Sequence, residues 1–343
     1  MTKAPPFWFE PRGAWSSLLR PASALFGAVA ARRMSGAPEA EVPVPVLCVG
    51  NFVAGGAGKT PVALALARIA RAEGRRPGFL SRGHGGTVRG PTRVDPGRHT
   101  AREVGDEPLL LAAEAPAVVS ADRPAGARLL VEAGCDLVVM DDGFQNPSLR
   151  KDVSVVVVDG GRGIGNGLVM PAGPLRAPLA AQLRLTDALV VVGRRGAGGG
   201  EHASVSPLVR AAARRGAPIL RAALHATERL DGVRALAFAG IGDPAKFFAT
   251  VEEAGAQVVE RAAFGDHQPY ADEAILALLE RADASDLVPV TTSKDAARLR
   301  GGGAAARRLL ERARVLSVEL RFEDARRARR LVERAAERAA RRR

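Results

Sequence analysis

Aromatic side chains are scarce in this chain. Its 343 residues include eleven Phe, two Trp and one Tyr, 4% in all. That excludes a core built on large rings, so Ala, Val and Leu must supply most of a hydrophobic fraction of 47%. It also weighs against nucleic-acid binding by stacked bases, which sets aromatics among basic patches. Both Trp fall within the first 15 residues. Cysteine is almost absent. Cys48 and Cys135 each sit in an apolar run that reads as a strand, and both are expected to be small buried thiols in a reducing compartment, not a disulfide or a metal pair. Long hydrophobic runs are missing as well. Ala22 to Ala31 (ASALFGAVAA) has the length of a signal-peptide core but is too short to span a bilayer as a helix. There is no internal repeat, and a charged fraction of 25% is ordinary for a folded protein.

Positive charge is plentiful. The formal net charge is +13 and the pI is near 11.0. Such a balance favours an acidic partner: nucleic acid, an anionic membrane surface or a phosphorylated substrate. An Arg- and Ala-rich composition accounts for it equally well. Near the N-terminus, Trp15, Leu18, Leu19, Ala22, Phe26 and Val29 fall on one helical face, with Arg12, Arg20, Arg32 and Arg33 around it. Core packing and a membrane interface both explain such a stripe.

The length suits two domains of roughly 150 residues each. Short, near-continuous apolar runs recur at Pro77–Ser81, Ala117–Ser120, Asp136–Asp141, Val153–Asp159 and Asp187–Gly193, with helical segments between several of them. Strands of this kind alternate with helices in parallel α/β sheets covered on both faces. A glycine-rich loop over Arg194–Ser206 marks the approach to a boundary. A second α/β series follows, with strands at Ala235–Ala239, Gln257–Arg261, Leu287–Thr292 and Val315–Leu320. A basic helix over Glu323–Arg343 closes the chain and reads as solvated.

The most informative stretch is VGNFVAGGAGKTP, Val49 to Pro61. It follows a β-branched run and precedes a helical one, the order a phosphate loop requires. A strict loop has its outer glycine where this chain has Val53. The inner glycines Gly55, Gly56 and Gly58 can still turn backbone N–H groups onto phosphate, with Ala57 and Pro61 completing the turn. Lys59 would reach the β- and γ-phosphates and Thr60 would hold Mg²⁺. DLVVMDDG (Asp136–Gly143) is a second motif, an apolar strand ending in Asp141 and Asp142, where phosphate-loop enzymes place their metal-holding carboxylate. Other polar islands are SRGHGG, GDEP, SADR and GNGLVMPAGPLR. They fall where strands should end, the edge at which open α/β sheets bind ligands. FGDHQPY holds His267, one of only five histidines.

Taken together, VGNFVAGGAGKTP, SRGHGG, GDEP, SADR, DDGFQ, GNGLVMPAGPLR, AGIGDPAKFF, DHQ and TTSKDAAR resemble the tetraacyldisaccharide 4′-kinase family of Gram-negative bacteria, in the family's order. The resemblance implies two Rossmann-like α/β/α domains joined by a short β linker, the first carrying a P-loop NTPase-type parallel sheet. The boundaries expected are an N-terminal membrane-associating helix over 1–35, a kinase domain over 36–215, a linker over 216–230 and a smaller α/β domain over 231–343. It implies transfer of the ATP γ-phosphate to the 4′-hydroxyl of a tetraacyl disaccharide 1-phosphate, with ATP and Mg²⁺ as cofactors, at the cytoplasmic face of the inner membrane. The catalytic set implied is Asp106 with His267, beside Lys59. Substrate contacts are implied at Asn51, Arg82, Arg123, Gln145 and Arg176. The partners expected are the lipid precursor and an anionic membrane surface, with no nucleic acid and a monomeric protein. His84, Asn146 and Ala177 stand where the family pattern has Tyr, His and Glu. The competing readings are a phosphate-loop ATPase acting on nucleic acid and a nucleotide-dependent switch. The latter is weakened because TSKDA carries Ser293 where a guanine-reading motif has Asn.

Overall fold

Two sheets carry the fold of this computed structural model, which describes residues 4–193 and 201–342. The strands are β1 (Val46–Asn51), β2 (Pro77–Ser81), β3 (Thr92–Arg93), β4 (Ala117–Val119), β5 (Leu137–Asp141), β6 (Val153–Asp159), β7 (Ala188–Gly193), β8 (Ile219–Ala226), β9 (Arg234–Ala239), β10 (Gln257–Ala263), β11 (Val288–Thr292), β12 (Arg314–Leu316) and β13 (Val318–Phe322). The large sheet runs β13-β8-β7-β6-β1-β5-β2-β4-β3 and the small one β10-β9-β11-β12. Within the large sheet only the edge strands β3 and β13 are antiparallel to their neighbours. The small sheet is parallel throughout.

The sequence VSVVVVD explains β6. Branched side chains suit the extended backbone, and burial along nearly the whole run reflects helices on both faces. One face of the large sheet packs under the helix Lys59–Ala72, through Val62 and Leu66. The other packs under Arg123–Glu132 and Val205–Ala213, through Leu130 and Leu208. Asp122 starts the first of these by accepting the Ala125 N–H at 2.9 Å, with Pro124 in the first turn. Cys48 and Cys135 are buried and unpaired, as expected, and burial pushes the Cys48 thiol up to about 11.

The expected domain boundaries need correction at three points. First, the expected β linker over 216–230 is part of the large sheet. Ile219–Ala226 forms β8, paired with β7 over 219–223 and with β13 over 222–226. Second, Val315–Leu320 is not one strand. The chain leaves the small sheet after β12, passes Ser317, and enters the large sheet as β13 beside β8. The outgoing and returning chains touch there, with Thr227 N–H donating to Ser317 O at 3.0 Å. Third, the terminal helix (Ala325–Ala340) belongs to the first domain and is not simply solvated. Its Ala328, Leu331, Val332, Ala335 and Ala339 recur at helical spacing and are buried against the large sheet. Its arginines hold that seat: Arg338 Nη1 donates to Asp187 Oδ1 at 2.6 Å and Arg342 Nη2 to Asp152 Oδ2 at 2.8 Å. In the expected glycine-rich loop, residues 194–200 lie outside those described, and helix begins already at Val205.

The N-terminal stripe is split. Ala14–Leu18 and Arg20–Met34 are separate helices with the break at Leu19. The second is inverted relative to a core helix. Ser23 and Gly27 face the protein, while Leu25, Phe26 and Val29 are exposed, as are Trp15 and Leu18 on the first. Ser23 Oγ donates to Val169 O at 2.6 Å. A Cβ on Gly27 would stand 3.3 Å from Pro178 Cγ, so glycine lets the helix lie close.

Candidate active site

Beyond Asn51 the chain turns into the helix Lys59–Ala72. Gly58 takes φ 82° at the helix cap and Gly55 φ 102°, a region open to glycine. A Cβ on Gly55 or Gly56 would meet nothing within 4 Å, so the cradle is unobstructed. The non-glycine entry at Val53 has a structural reason. Residues 174–176 brace it: Ala54 N–H donates to Pro174 O at 2.8 Å, Arg176 N–H to Phe52 O at 2.9 Å, and Arg176 Nε to Val53 O at 3.0 Å. Asn51 Nδ2 then donates to Gly55 O at 3.0 Å across the loop.

Beside the loop, β5 delivers Asp141 and Asp142. Thr60 Oγ1 donates to Asp141 Oδ2 at 3.0 Å, while Asp141 Oδ1 is buried with no partner. Burial, with Asp142 and Glu107 adding to it, pushes Asp141 up to about 6 against the pull of Lys59. Asp142 occupies a left-handed turn at φ 55°. Arg176 grips it with Nη1 at 2.8 Å and Nη2 at 3.2 Å, and Lys59 Nζ lies 3.8 Å away. Burial opposes its ionisation, but Lys59 and Arg176 outweigh burial and hold it at about 2. Burial lowers the Lys59 ammonium from its ordinary value. The spare oxygen of Asp141 beside the Thr60 hydroxyl is the donor arrangement a hard divalent cation fits. Asp142 is already engaged by two cations.

The second domain completes the cleft. Asp106 begins the helix Asp106–Ala112 and is buried. His267, in a left-handed turn after β10 (φ 56°), sets Nδ1 3.2 Å from Asp106 Oδ2. Arg298 Nε donates to the same oxygen at 3.1 Å, and Glu107 N–H caps Asp106 Oδ1 at 3.1 Å. Burial works against the Asp106 charge, yet the His267 hydrogen bond and the Lys294 and His267 charges keep its carboxyl well below the usual range. The Asp106 hydrogen bond outweighs burial and raises His267. Lys294 Nζ reaches Glu107 Oε1 at 2.6 Å, and the His84 ring lies 5.9 Å from that of His267, edge to face.

The expected substrate set divides. Arg82 is exposed. Arg176 and Gln145 are half-buried; Gln145 Nε2 donates to Asn51 O at 2.7 Å and Gln182 Oε1 at 2.9 Å. Asn51 and Arg123 are both buried, Asn51 bracing the loop through Nδ2 and Arg123 Nη1 donating to Ser120 O at 2.5 Å, while Asn51 Oδ1 and Arg123 Nε keep no partner. Of the departures, Asn146 is spent on Ser148 N–H at 2.8 Å, and Ala177 is buried with its carbonyl on Gln182. Sequence reasoning assigned nothing to Glu107, Gln182, Lys294 or Arg298. The first sits in the quoted GDEP motif and the last two in TTSKDAAR.

A phosphate loop with a strand-end carboxylate pair, whose sheet edge meets a second α/β domain, defines a two-domain protein of the P-loop NTPase type. Comparison with known proteins narrows that class. The family model described as Tetraacyldisaccharide-1-P 4'-kinase matches residues 15–337. Among curated proteins, the Tetraacyldisaccharide 4'-kinase of Allorhizobium ampelinum is 53% identical over 94% of this chain and 93% of its own length. That of Methylobacterium radiotolerans is 52% identical over 96% and 98%. Among solved structures, "apo" form LpxK from Aquifex aeolicus in complex with ATP superposes with a TM-score of 0.71 at 25% identity, covering 94% of this chain and 100% of that one. The chain belongs to the tetraacyldisaccharide-1-P 4′-kinase family.

Proposed function

We propose that this cleft transfers the γ-phosphate of ATP to the 4′-hydroxyl of a tetraacyl disaccharide 1-phosphate, giving lipid IVA in lipid A biosynthesis. The observation that carries the reading is the meeting of two halves of a phosphotransfer site: an open phosphate loop with Lys59 and Thr60 on one domain, and His267 set against Asp106 by the other. The backbone of Gly55 to Thr60 cradles the phosphates, and Lys59 supplies a charge on the transferring group. Thr60 and Asp141 would hold Mg²⁺, with Asp142 behind them. When bound, that ion neutralises charge on the phosphates.

The Asp106–His267 pair takes the hydroxyl proton. Asp106 accepts from His267 Nδ1, which orients the ring and leaves Nε2 for the acceptor. Arg82 recognises the anionic substrate from its exposed position, while Arg176 and Gln145 keep the loop entry in register. Phosphoryl transfer depends mainly on such positioning and charge neutralisation, because the enzyme makes little covalent chemistry of its own.

The lipid substrate accounts for the inverted N-terminal helices. Trp15, Leu18, Leu25, Phe26 and Val29 form an exposed apolar face beside Arg12, Arg20, Arg32 and Arg33, the composition of an interfacial anchor on an anionic leaflet. Among the described residues no helix is long and apolar enough to cross a membrane. The reading is therefore peripheral association with the cytoplasmic face of the inner membrane, where ATP is available. Incubation with γ-labelled ATP and tetraacyl disaccharide 1-phosphate in detergent micelles tests the activity. Label appearing in the lipid supports it, and folded, ATP-binding protein that leaves the lipid unlabelled refutes it.

A further inference from the structure

Arg298 is a buried cation between carboxylates of two domains. Only 6% of its side chain is exposed. Nε donates to Asp106 Oδ2 at 3.1 Å, and Nη1 lies 3.1 Å from Asp295 Oδ1. By hydrogen-bond geometry, neither Nη1 nor Nη2 finds an acceptor. Burying a guanidinium with unsatisfied donors is costly, and a hydrophobic residue of similar volume would avoid the cost. The surroundings are nevertheless shaped for it. A Cβ on Gly240 would stand 2.8 Å from Nη1 and 3.1 Å from Asp295 Oδ1, so a side chain there would crowd the guanidinium.

Asp295 is itself fully buried and collects the second domain's loops. It accepts from Gly240 N–H at 3.0 Å, from Tyr270 OH at 2.6 Å and from Thr292 Oγ1 at 2.6 Å. Tyr270 closes the loop that carries His267, whose N–H donates to Gly240 O at 3.3 Å. Thus the loop presenting His267, the turn after β9 and the helix Ser293–Leu299 share one anchor. Arg298 is its link to Asp106 on the other domain.

We propose that Arg298 is a positioning residue for phosphoryl transfer: by tying the Asp106 carboxylate to the Asp295 anchor, it sets the Asp106–His267 pair in reacting geometry when the two domains close. The proposal rests on the reading of that pair as the proton acceptor. Several charged or titratable groups face the pair. They are Glu107 from the first domain, Lys294, Asp295 and Arg298 from the helix Ser293–Leu299, Asp266 and Tyr270 from the loop carrying His267, and His84 across the cleft. Arg298 is the one cation in direct contact with the shared Asp106 oxygen besides His267 among the described residues.

The full chain with Arg298→Met, Arg298→Lys and Asp106→Asn provides the test, with steady-state rates across pH and thermal unfolding with and without ATP. Arg298→Met is expected to lower kcat by about 10- to 100-fold, the scale of an ångström of misplacement, with the KM for ATP nearly unchanged. Loss of the cation also strengthens proton binding by the pair, so the acid limb of the kcat profile moves to higher pH. Arg298→Lys keeps the charge but not the fork. It is expected to hold the limb at its wild-type position with kcat several-fold low. An unshifted limb in Arg298→Met, or kcat and ATP affinity falling together, would overturn the proposal. If Arg298→Met fails to fold, Arg298→Lys decides, because wild-type kcat in that variant overturns the proposal too. Full activity in Asp106→Asn would instead strike the pair itself, whatever Arg298 does.

Discussion

Replacing Asp106 by Asn changes one charge and almost no volume. Asp106 is buried, and its Oδ2 receives both His267 and Arg298, at 3.2 and 3.1 Å. The amide cannot stabilise an imidazolium, so a proton passed to the pair gains nothing from its partner. Loss of general acid–base assistance costs about 10²- to 10⁴-fold in kcat, or roughly 3–5 kcal/mol of barrier. ATP affinity should change little, because the polar partners of Asp106 are Glu107, His267 and Arg298 and not residues of the phosphate loop. The stability effect has a definite sign. Asp106 raises the folded-state pKa of His267 above its ordinary 6.5, so the pair's stabilisation is full below that value and fades as pH climbs through the folded pKa. Asp106→Asn should therefore lose more stability at pH 6 than at pH 9. Initial rates under saturating ATP, a titration of ATP binding and melting curves at both pH values check all three. A variant whose ATP binding collapses while its turnover per bound ATP is retained would refute the reasoning, because Asp106 would then be part of the nucleotide site.

Other consequences follow from the same geometry. Leu331→Ala empties a buried site under the terminal helix and should destabilise the first domain by about 2–5 kcal/mol, read as a lower denaturant midpoint; a change near zero would return that helix to solvent. Arg176→Ala releases both Asp142 and the Val53 carbonyl, so ATP affinity should fall more than kcat, the opposite split to Asp106→Asn. Changing Trp15, Leu18 and Leu25 together to Ser should weaken sedimentation with anionic vesicles while sparing the melting temperature, since these side chains are exposed. Unchanged partitioning would remove the membrane role.

How far this molecule was legible in its sequence varies by element. The β-branched runs announced their strands, and Val153–Asp159 has the expected bounds. Glycine spacing before Lys59 placed the phosphate loop. β8 was implied only by the resemblance, as a β linker, because ILRAALHA is rich in Ala and half-exposed, so neither period nor burial marks it before its partners β7 and β13 are known. The terminal helix was legible in principle, as its buried positions keep helical spacing, but arginines at most other positions masked the stripe. The Asp106–His267 contact joins a helix start in one domain to a loop in the other, and only family resemblance could pair them. Arg298 lay in the TTSKDAAR motif but nothing singled it out in a chain crowded with arginine; its contact with Asp106 exists only once the domains meet. Asn51 and Arg123 show another limit, since a motif names polar residues without telling that their side chains are buried and partly spent on the backbone.

This cleft builds a phosphomonoester at the 4′ position of a tetraacylated disaccharide. Phosphorus NMR of the lipid recovered after incubation with ATP and Mg²⁺ measures that product directly. A new monoester signal from phosphate on the 4′ oxygen is expected beside that of the existing 1-phosphate, with ADP formed in equal amount. ATP consumed to free phosphate, with the lipid spectrum unchanged, would contradict it.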